Sequence, residues 1–332
     1  MGSVIKLIEY YLPQEGISNE QLEEKFHKWT AKKVYLKTGI RNRHWCSEHE
    51  TALDIAVKAG KKLLETYNKE EIDYLLYCTQ SPEYYLPSGA CLIQERLGLN
   101  TGIGALDVNL GCSGYIYLLS LAKGLISGGI AKNILLITSE TYSKYINPRD
   151  LGNQTIFGDA STATVITRDD VEHVYDFSLG TDGSGAENLI VKNGGLKHRF
   201  DADAEAVEDE SGNYRTDNNI YMNGPEIFNF TISHVPVTYK DTLAKNNLSI
   251  NDLKLVIFHQ ANKYILKYLQ EVCDIPDDKF WIDMEETGNT VSNTLPIALK
   301  KAIESKKIKK KDLVMLLGFG VGYSWGGTII KI

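Results

Sequence analysis

Short apolar runs alternate with segments of helical periodicity along most of the chain, and this alternation limits the possible folds more than any other feature. Val4–Tyr10, Ile72–Thr79, Ile103–Val108 and Asn133–Thr138 suit buried strands. Leu53, Ala56, Val57, Gly60, Leu63, Leu64 and Tyr67 recur at helical spacing, which predicts a helix with one face on a core. Pro87 and Ser88 open another helix that ends at Gly98, and Cys112–Ser127 reads as a long apolar helix stopped by Gly128-Gly129. Ser18-Asn-Glu-Gln21 is a capping box for a helix running to about Trp29. Strands and helices in strict alternation predict an α/β protein with largely parallel sheets.

The scheme restarts in the second half. Helices near Pro225–Ala244, Gln260–Val272 and Ser292–Glu304 alternate with the apolar runs Leu255–Phe258 and Leu313–Leu317. The chain therefore divides into halves, 1–172 and 173–332, that read as a loose duplication without an obvious sequence repeat. One stretch departs from the pattern. Lys192–Asn219 is polar and acidic around Asp201–Glu210, and reads either as a flap over a site or as an exposed insertion. Asp201-x-Asp203-x-Glu205 lacks the glycine and the terminal glutamate of a calcium loop, so no metal is expected there.

A formal net charge of −7 argues against general nucleic-acid binding, which requires a basic face. The five cysteines, Cys46, Cys78, Cys91, Cys112 and Cys273, form no CxxC pair, as in a protein of a reducing compartment. Met1 to Pro13 contains charges and is too short to span a membrane or act as a secretory signal. Lys6 stands where a myristoylated terminus carries Ser or Thr. These features predict a cytoplasmic location and no membrane association.

Three segments carry the chemistry. In Asp107-Val-Asn-Leu-Gly-Cys112-Ser-Gly-Tyr115 a strand ends, a glycine permits a sharp turn, and a cysteine opens an apolar helix. Unpaired N–H groups at a helix start favour thiolate, so a lowered cysteine pKa is expected. Val256-Ile-Phe-His259-Gln-Ala-Asn262 runs a strand into a histidine, a candidate base or oxyanion donor. Thr287-Gly-Asn289-Thr-Val-Ser-Asn-Thr-Leu-Pro296 offers an amide in a turn, and Leu317-Gly-Phe-Gly-Val-Gly-Tyr-Ser-Trp-Gly326 offers backbone N–H groups that a ligand can approach closely. Taken singly, each has an ordinary structural explanation: a core cysteine, a satisfied histidine, a loop asparagine, a tight strand connection.

Together with Thr38-Gly-Ile-Arg41 and Phe157-Gly-Asp159, these segments resemble the signature of the β-ketoacyl-acyl-carrier-protein synthase III family, in the same order and across nearly the whole chain. The resemblance implies a thiolase-like fold, duplicated and five-layered (αβαβα), and a homodimer. It implies that Cys112, His259 and Asn289 form a Cys-His-Asn catalytic set, with an oxyanion hole made by the N–H groups of Cys112 and Val321. The implied reaction has two halves. Cys112 takes an acyl group from a thioester, and a malonyl thioester then loses carbon dioxide and attacks the acyl-cysteine to give a 3-oxoacyl product. No metal or redox cofactor is implied, because the substrates bring a pantetheine arm from CoA or acyl carrier protein. Arg41, Leu86, Asn262 and Gly320 are the expected substrate and pantetheine contacts.

The sequence departs from the family pattern in several places. Lys33 and Lys37 stand where the family has a tryptophan and an arginine for the CoA adenine end, and Leu151 replaces another arginine. A lysine meets phosphate but does not stack on adenine, so a carrier-protein donor is expected in preference to CoA. Lys263 and Lys267, one helical turn apart, would then dock the acidic carrier, with Lys300, Lys301 and Lys306–Lys311 extending the face. The N-terminal strand also lacks the family's glycine-rich opening. At Leu86, acetyl-selective members have a phenylalanine that reaches the partner's acyl pocket; a leucine should admit a longer chain unless a neighbour such as Tyr85 refills the space. Two other readings stay open: an acyltransferase to an alcohol or amine without condensation, and an inactive partner subunit. Asn289 weighs against the first and Cys112 against the second. A thiolase needs a second cysteine in the C-terminal glycine loop, and Gly318–Gly327 has none.

Overall fold

The computed structural model describes residues 2–332. Two five-stranded sheets form its frame. In the first, the strands run in the order Gly2–Tyr11, Ala160–Asp169, Asn133–Glu140, Tyr74–Cys78, Gly104–Val108. In the second, the order is Ser178–Thr181, Ser324–Lys331, Leu313–Gly320, Leu255–Phe258, Phe280–Trp281. Both sheets follow one rule. The last three strands in each series are mutually parallel, and the first two join them antiparallel. Every strand of the first sheet lies before residue 170 and every strand of the second after residue 177.

Helices Gly114–Ser127 and Thr294–Glu304 lie between the sheets. Their apolar residues, among them Tyr115, Leu118, Leu119, Leu295 and Leu299, share one core with Leu76 and Leu136 of the first sheet and Ile257 and Leu316 of the second. Helices Ala52–Leu64 and Gly89–Leu97 cover the outer face of the first sheet. Helices Gly224–Lys245 and Lys263–Val272 cover the second. The result is the five-layer αβαβα arrangement. A strand buried on both faces needs a continuous apolar run, which explains why Leu75, Leu76, Tyr77 and Cys78 are all buried. Each buried Leu or Ile in such a layer contributes roughly 1.5–3 kcal/mol.

Three local expectations change. The helix begun by the Ser18 capping box stops at Phe26, because His27 turns left-handed (φ 52°), and a new helix, Ala31–Thr38, starts from Thr30. Helix Gly114–Ser127 begins after Cys112, because the Gly114 N–H closes a turn on the Gly111 carbonyl at 2.8 Å. The Lys192–Asn219 stretch contains a short hairpin, Val207–Glu208 with Tyr214–Arg215. Asn213 Oδ1 accepts from the Gly152 N–H (3.1 Å), and Lys28 donates to the Ser211 carbonyl, so the hairpin is tied to the body of the protein.

Candidate active site

Cys112 lies in the tight connection between strand Gly104–Val108 and a central helix, and is 6% exposed. The backbone of the C-terminal glycine loop closes on it. A Cβ added at Gly320 would stand 2.9 Å from the Cys112 Sγ, so only glycine lets the loop approach this closely. The N–H groups of Cys112 and Val321, the pair expected for an oxyanion hole, both favour thiolate at Sγ. Their pull toward thiolate does not prevail. Burial, assisted by the charge of nearby Glu140, pushes the thiol up to about 12, which overturns the expected lowering. Complete desolvation outweighs two N–H dipoles, and Cys112 rests as a thiol.

His259 follows strand Leu255–Phe258 and is 2% exposed. Burial takes its pKa down to about 3, so it too rests neutral. Its Nδ1 lies 2.7 Å from the Thr294 Oγ1, and Thr294 also lies within 3.1 Å of the Val291 carbonyl. Phe319, next to Gly320, meets the imidazole edge-on at 5.4 Å. The third residue is joined to this chain of bonds. The Val291 N–H donates to Asn289 Oδ1 at 2.9 Å, which fixes the amide orientation, while Nδ2 has no partner among the described residues. The Asn289 backbone is held by Ile156-Phe-Gly158: its N–H donates to the Ile156 carbonyl, and its own carbonyl accepts from the Gly158 N–H. Val291 in turn packs in the apolar cluster around Cys112. One turn, Asn289–Thr294, thus connects histidine, amide and nucleophile.

Two cavities are lined in part by neighbours of Cys112. The outer one, about 850 Å³, is lined by Trp29, Lys37, Asn153, Arg215, Asn262 and Tyr264 among others. The inner one, about 440 Å³, is lined by residues that include Gln80, Tyr142, Tyr145, Leu189, Ile220 and Val321. Ile156 and Met222 belong both to the outer cavity and to the Cys112 cluster; Tyr142, Leu189, Ile220 and Val321 belong to that cluster and the inner cavity. Cys112 thus shares its apolar cluster with residues of both cavities. Glu140 is buried nearby, held by the Gln80 N–H at 3.1 Å and the Ser81 hydroxyl at 3.0 Å, and burial raises its pKa to about 8.

Of the expected contact residues, Asn262 lines the outer cavity and caps helix Lys263–Val272 through the Ile265 N–H. Arg41 does not line it: its guanidinium pairs with Glu285 and lies over Tyr35. Leu86 is 82% exposed, far from lining either cavity of its own chain. Lys263 and Lys267 are exposed beside Tyr264 at the outer mouth, and Lys267 is shared with Asp277 at 3.4 Å. Leu151 is buried. An aromatic side chain nonetheless stands at the mouth, from a position the sequence reading did not single out. Trp29 lines the cavity, with the ammonium groups of Lys33 and Lys37 over its ring at 5.4 and 4.7 Å. The early helix stop at His27 turns Trp29 into the mouth. Gln80, Thr294 and Glu140 were not anticipated. Among the described residues, no group of three His, Cys, Asp or Glu is placed to hold a metal, and no helix is long and apolar enough to cross a membrane.

Comparison with known proteins agrees with this geometry. Residues 106–183 match the family model for 3-oxoacyl-[acyl-carrier-protein (ACP)] synthase III, and residues 243–332 match the model for its C-terminal part. The β-ketoacyl-[acyl-carrier-protein] synthase III of Clostridium perfringens is 35% identical over 325 residues, 97% of each chain. That of Campylobacter jejuni is 33% identical over 330 residues, 98% of this chain and 97% of the relative. A crystal structure of 3-oxoacyl-(acyl-carrier-protein) synthase III superposes with a TM-score of 0.98 at 43% identity, covering all of both chains. The Aquifex aeolicus synthase III gives 0.86 at 30% identity, again over both whole chains. Matched by both family models and by relatives over nearly its whole length, the chain belongs to the β-ketoacyl-acyl-carrier-protein synthase III family.

Proposed function

We propose that the protein is a decarboxylating condensing enzyme in which Cys112 carries the acyl group and His259 and Asn289 receive the malonyl unit. The observation that carries this reading is the unpartnered Asn289 Nδ2, fixed as a donor in the turn that also holds His259. A plain acyltransferase has no use for a second polar centre beside the acyl-cysteine, whereas an enolate needs one.

In the first half-reaction the Cys112 thiol loses its proton to His259 as Sγ attacks the thioester carbonyl. The tetrahedral oxyanion meets the N–H groups of Cys112 and Val321, the carbon–sulfur bond to pantetheine breaks, and the pantetheine sulfur leaves with the proton. The Thr294 hydroxyl suits both halves. Donating to Val291, it accepts from His259 Nδ1–H and leaves Nε2 a base; turned toward Nδ1, it leaves Nε2–H a donor. In the second half, a malonyl thioester loses carbon dioxide, and its electron pair becomes an enolate held by Asn289 and His259. The enolate carbon attacks the acyl carbonyl and the Cys112 sulfur leaves, regaining a proton. These residues need no metal or redox cofactor for this chemistry.

The pantetheine arm would enter through the outer cavity past Asn262, with a carrier protein against Lys263 and Lys267. Trp29 restores an aromatic surface at the mouth, so CoA is also a workable donor. A homodimer is supported by strand Gly104–Val108, an uncovered sheet edge with Leu106 exposed, flanked by exposed Tyr84, Tyr85 and Leu86. The deciding experiment combines an acyl thioester with malonyl-acyl carrier protein. Mass gain on Cys112 followed by release of carbon dioxide and a 3-oxoacyl product is expected. Acylation without decarboxylation would leave only plain acyl transfer.

A further inference from the structure

The inner cavity differs from a hydrocarbon pocket in one respect: its wall includes a glutamine amide that two tyrosines orient. Gln80 projects beside Gly111, where an added Cβ would meet its Oε1 at 2.6 Å. Tyr142 donates to Gln80 Oε1 at 2.7 Å and Tyr145 donates to the Gln80 carbonyl at 2.9 Å. Both phenols have thereby spent their protons and keep oxygen lone pairs. Gln80 Nε2 has no partner among the described residues, so the oriented amide keeps two N–H donors. The rest of the wall is mainly apolar or glycine, with the amides of Asn109 and Asn193 among it, and no lining residue carries a charge.

We infer that this cavity selects a short acyl group bearing an uncharged polar substituent, a hydroxyl foremost, over a plain alkyl chain of equal length. The inference rests on the proposed acyl transfer to Cys112. A hydroxyl accepts from Gln80 Nε2 and donates to a tyrosine oxygen, matching what the wall leaves open. A plain alkyl chain would displace water from these groups and return nothing to them. A carboxylate or ammonium would enter without a counter-charge and pay its desolvation in full. A net hydrogen bond of about 1 kcal/mol gives a preference of roughly fivefold, and a second raises it toward thirtyfold.

The test is the rate of mass gain on Cys112 with 3-hydroxybutyryl, butyryl and succinyl groups, each on CoA and on acyl carrier protein. Expected is 3-hydroxybutyryl ahead of butyryl by about tenfold, with succinyl slowest. Gln80→Met should bring the ratio to one or below. Tyr142→Phe, which keeps the ring and its packing, should lower the ratio by a smaller factor. Equal or faster use of butyryl by the unaltered protein overturns the inference and leaves acyl transfer standing, as does a ratio that neither substitution moves. No mass gain from any thioester overturns acyl transfer itself, and this inference with it.

Discussion

The two sheets share one strand order, yet their equivalent connections carry different chemistry. After strand Gly104–Val108 the chain passes through Cys112 into a central helix; after the matching strand Phe280–Trp281 it passes through Asn289 into the other central helix. Strand Leu255–Phe258 ends in His259, and its counterpart Tyr74–Cys78 ends in Thr79-Gln80. A duplicated frame thus brings four loop ends to one place, and each loop needs to supply only one function. In the proposed reaction the first half offers nucleophile and acyl wall, and the second offers histidine and enolate donor. Identical backbone topology fixes where groups can meet, while loop residues fix what happens there.

Four tests probe this division. The largest effect belongs to the first-half crossover. Cys112→Ala should abolish acyl mass gain, whereas Cys46→Ala, Cys78→Ala, Cys91→Ala and Cys273→Ala should retain it; full acylation of the Cys112 variant would falsify the assignment. Next comes its counterpart. Asn289→Ala should lower decarboxylation and condensation about 10²–10³-fold while Cys112 still acylates. An equal fall in both half-reactions would erase the distinction between the crossovers.

The helices after the two other loop ends give a smaller contrast. Helix Lys263–Val272 presents Lys263 and Lys267 at the outer mouth, and Gly89–Leu97 follows the exposed Tyr84-Tyr85-Leu86. Lys263→Glu with Lys267→Glu should reduce kcat/KM for a carrier-borne acyl group by about tenfold, with less effect on CoA and less at high salt. An equal loss with CoA would place the effect elsewhere than in docking.

The smallest effect is on stability. Burial lifts Glu140 from an ordinary 4.5 to about 8, so the folded protein holds a proton that the unfolded chain releases. That contribution is fully present below about pH 4.5 and is lost as the pH rises through about 8. Glu140→Gln should flatten this decline, which comparing Tm for the two proteins between pH 5 and 9 would reveal. Parallel curves would mean that Glu140 titrates normally.

Much of this was legible in the sequence because turns at strand ends have local signatures. Glycine beside Cys112, glycine before Asn289 and the apolar run before His259 each mark an abrupt strand end, and the alternation of elements indicated the layers. What was not legible depends on the third dimension. His27 turns left-handed without a glycine to announce it, so Trp29 was read as the end of a helix instead of a wall of the mouth. Gln80 is an unremarkable loop residue until two tyrosines orient its amide. The acidity of Cys112 was misjudged because the helix start is local and visible, while the burial that defeats it is assembled from distant segments.

That burial also bears on how the protein endures in an oxidising cell. Peroxide and electrophilic metabolites attack thiolate far faster than thiol. With its pKa at about 12 and only 6% of its surface accessible, Cys112 presents almost no thiolate to them. In the proposed reaction, reactivity would appear only once a thioester fills the oxyanion hole and the proton has somewhere to go. The closed packing of Gly320 against Sγ thus acts as a safety catch, trading resting nucleophilicity for a cysteine that survives between turnovers.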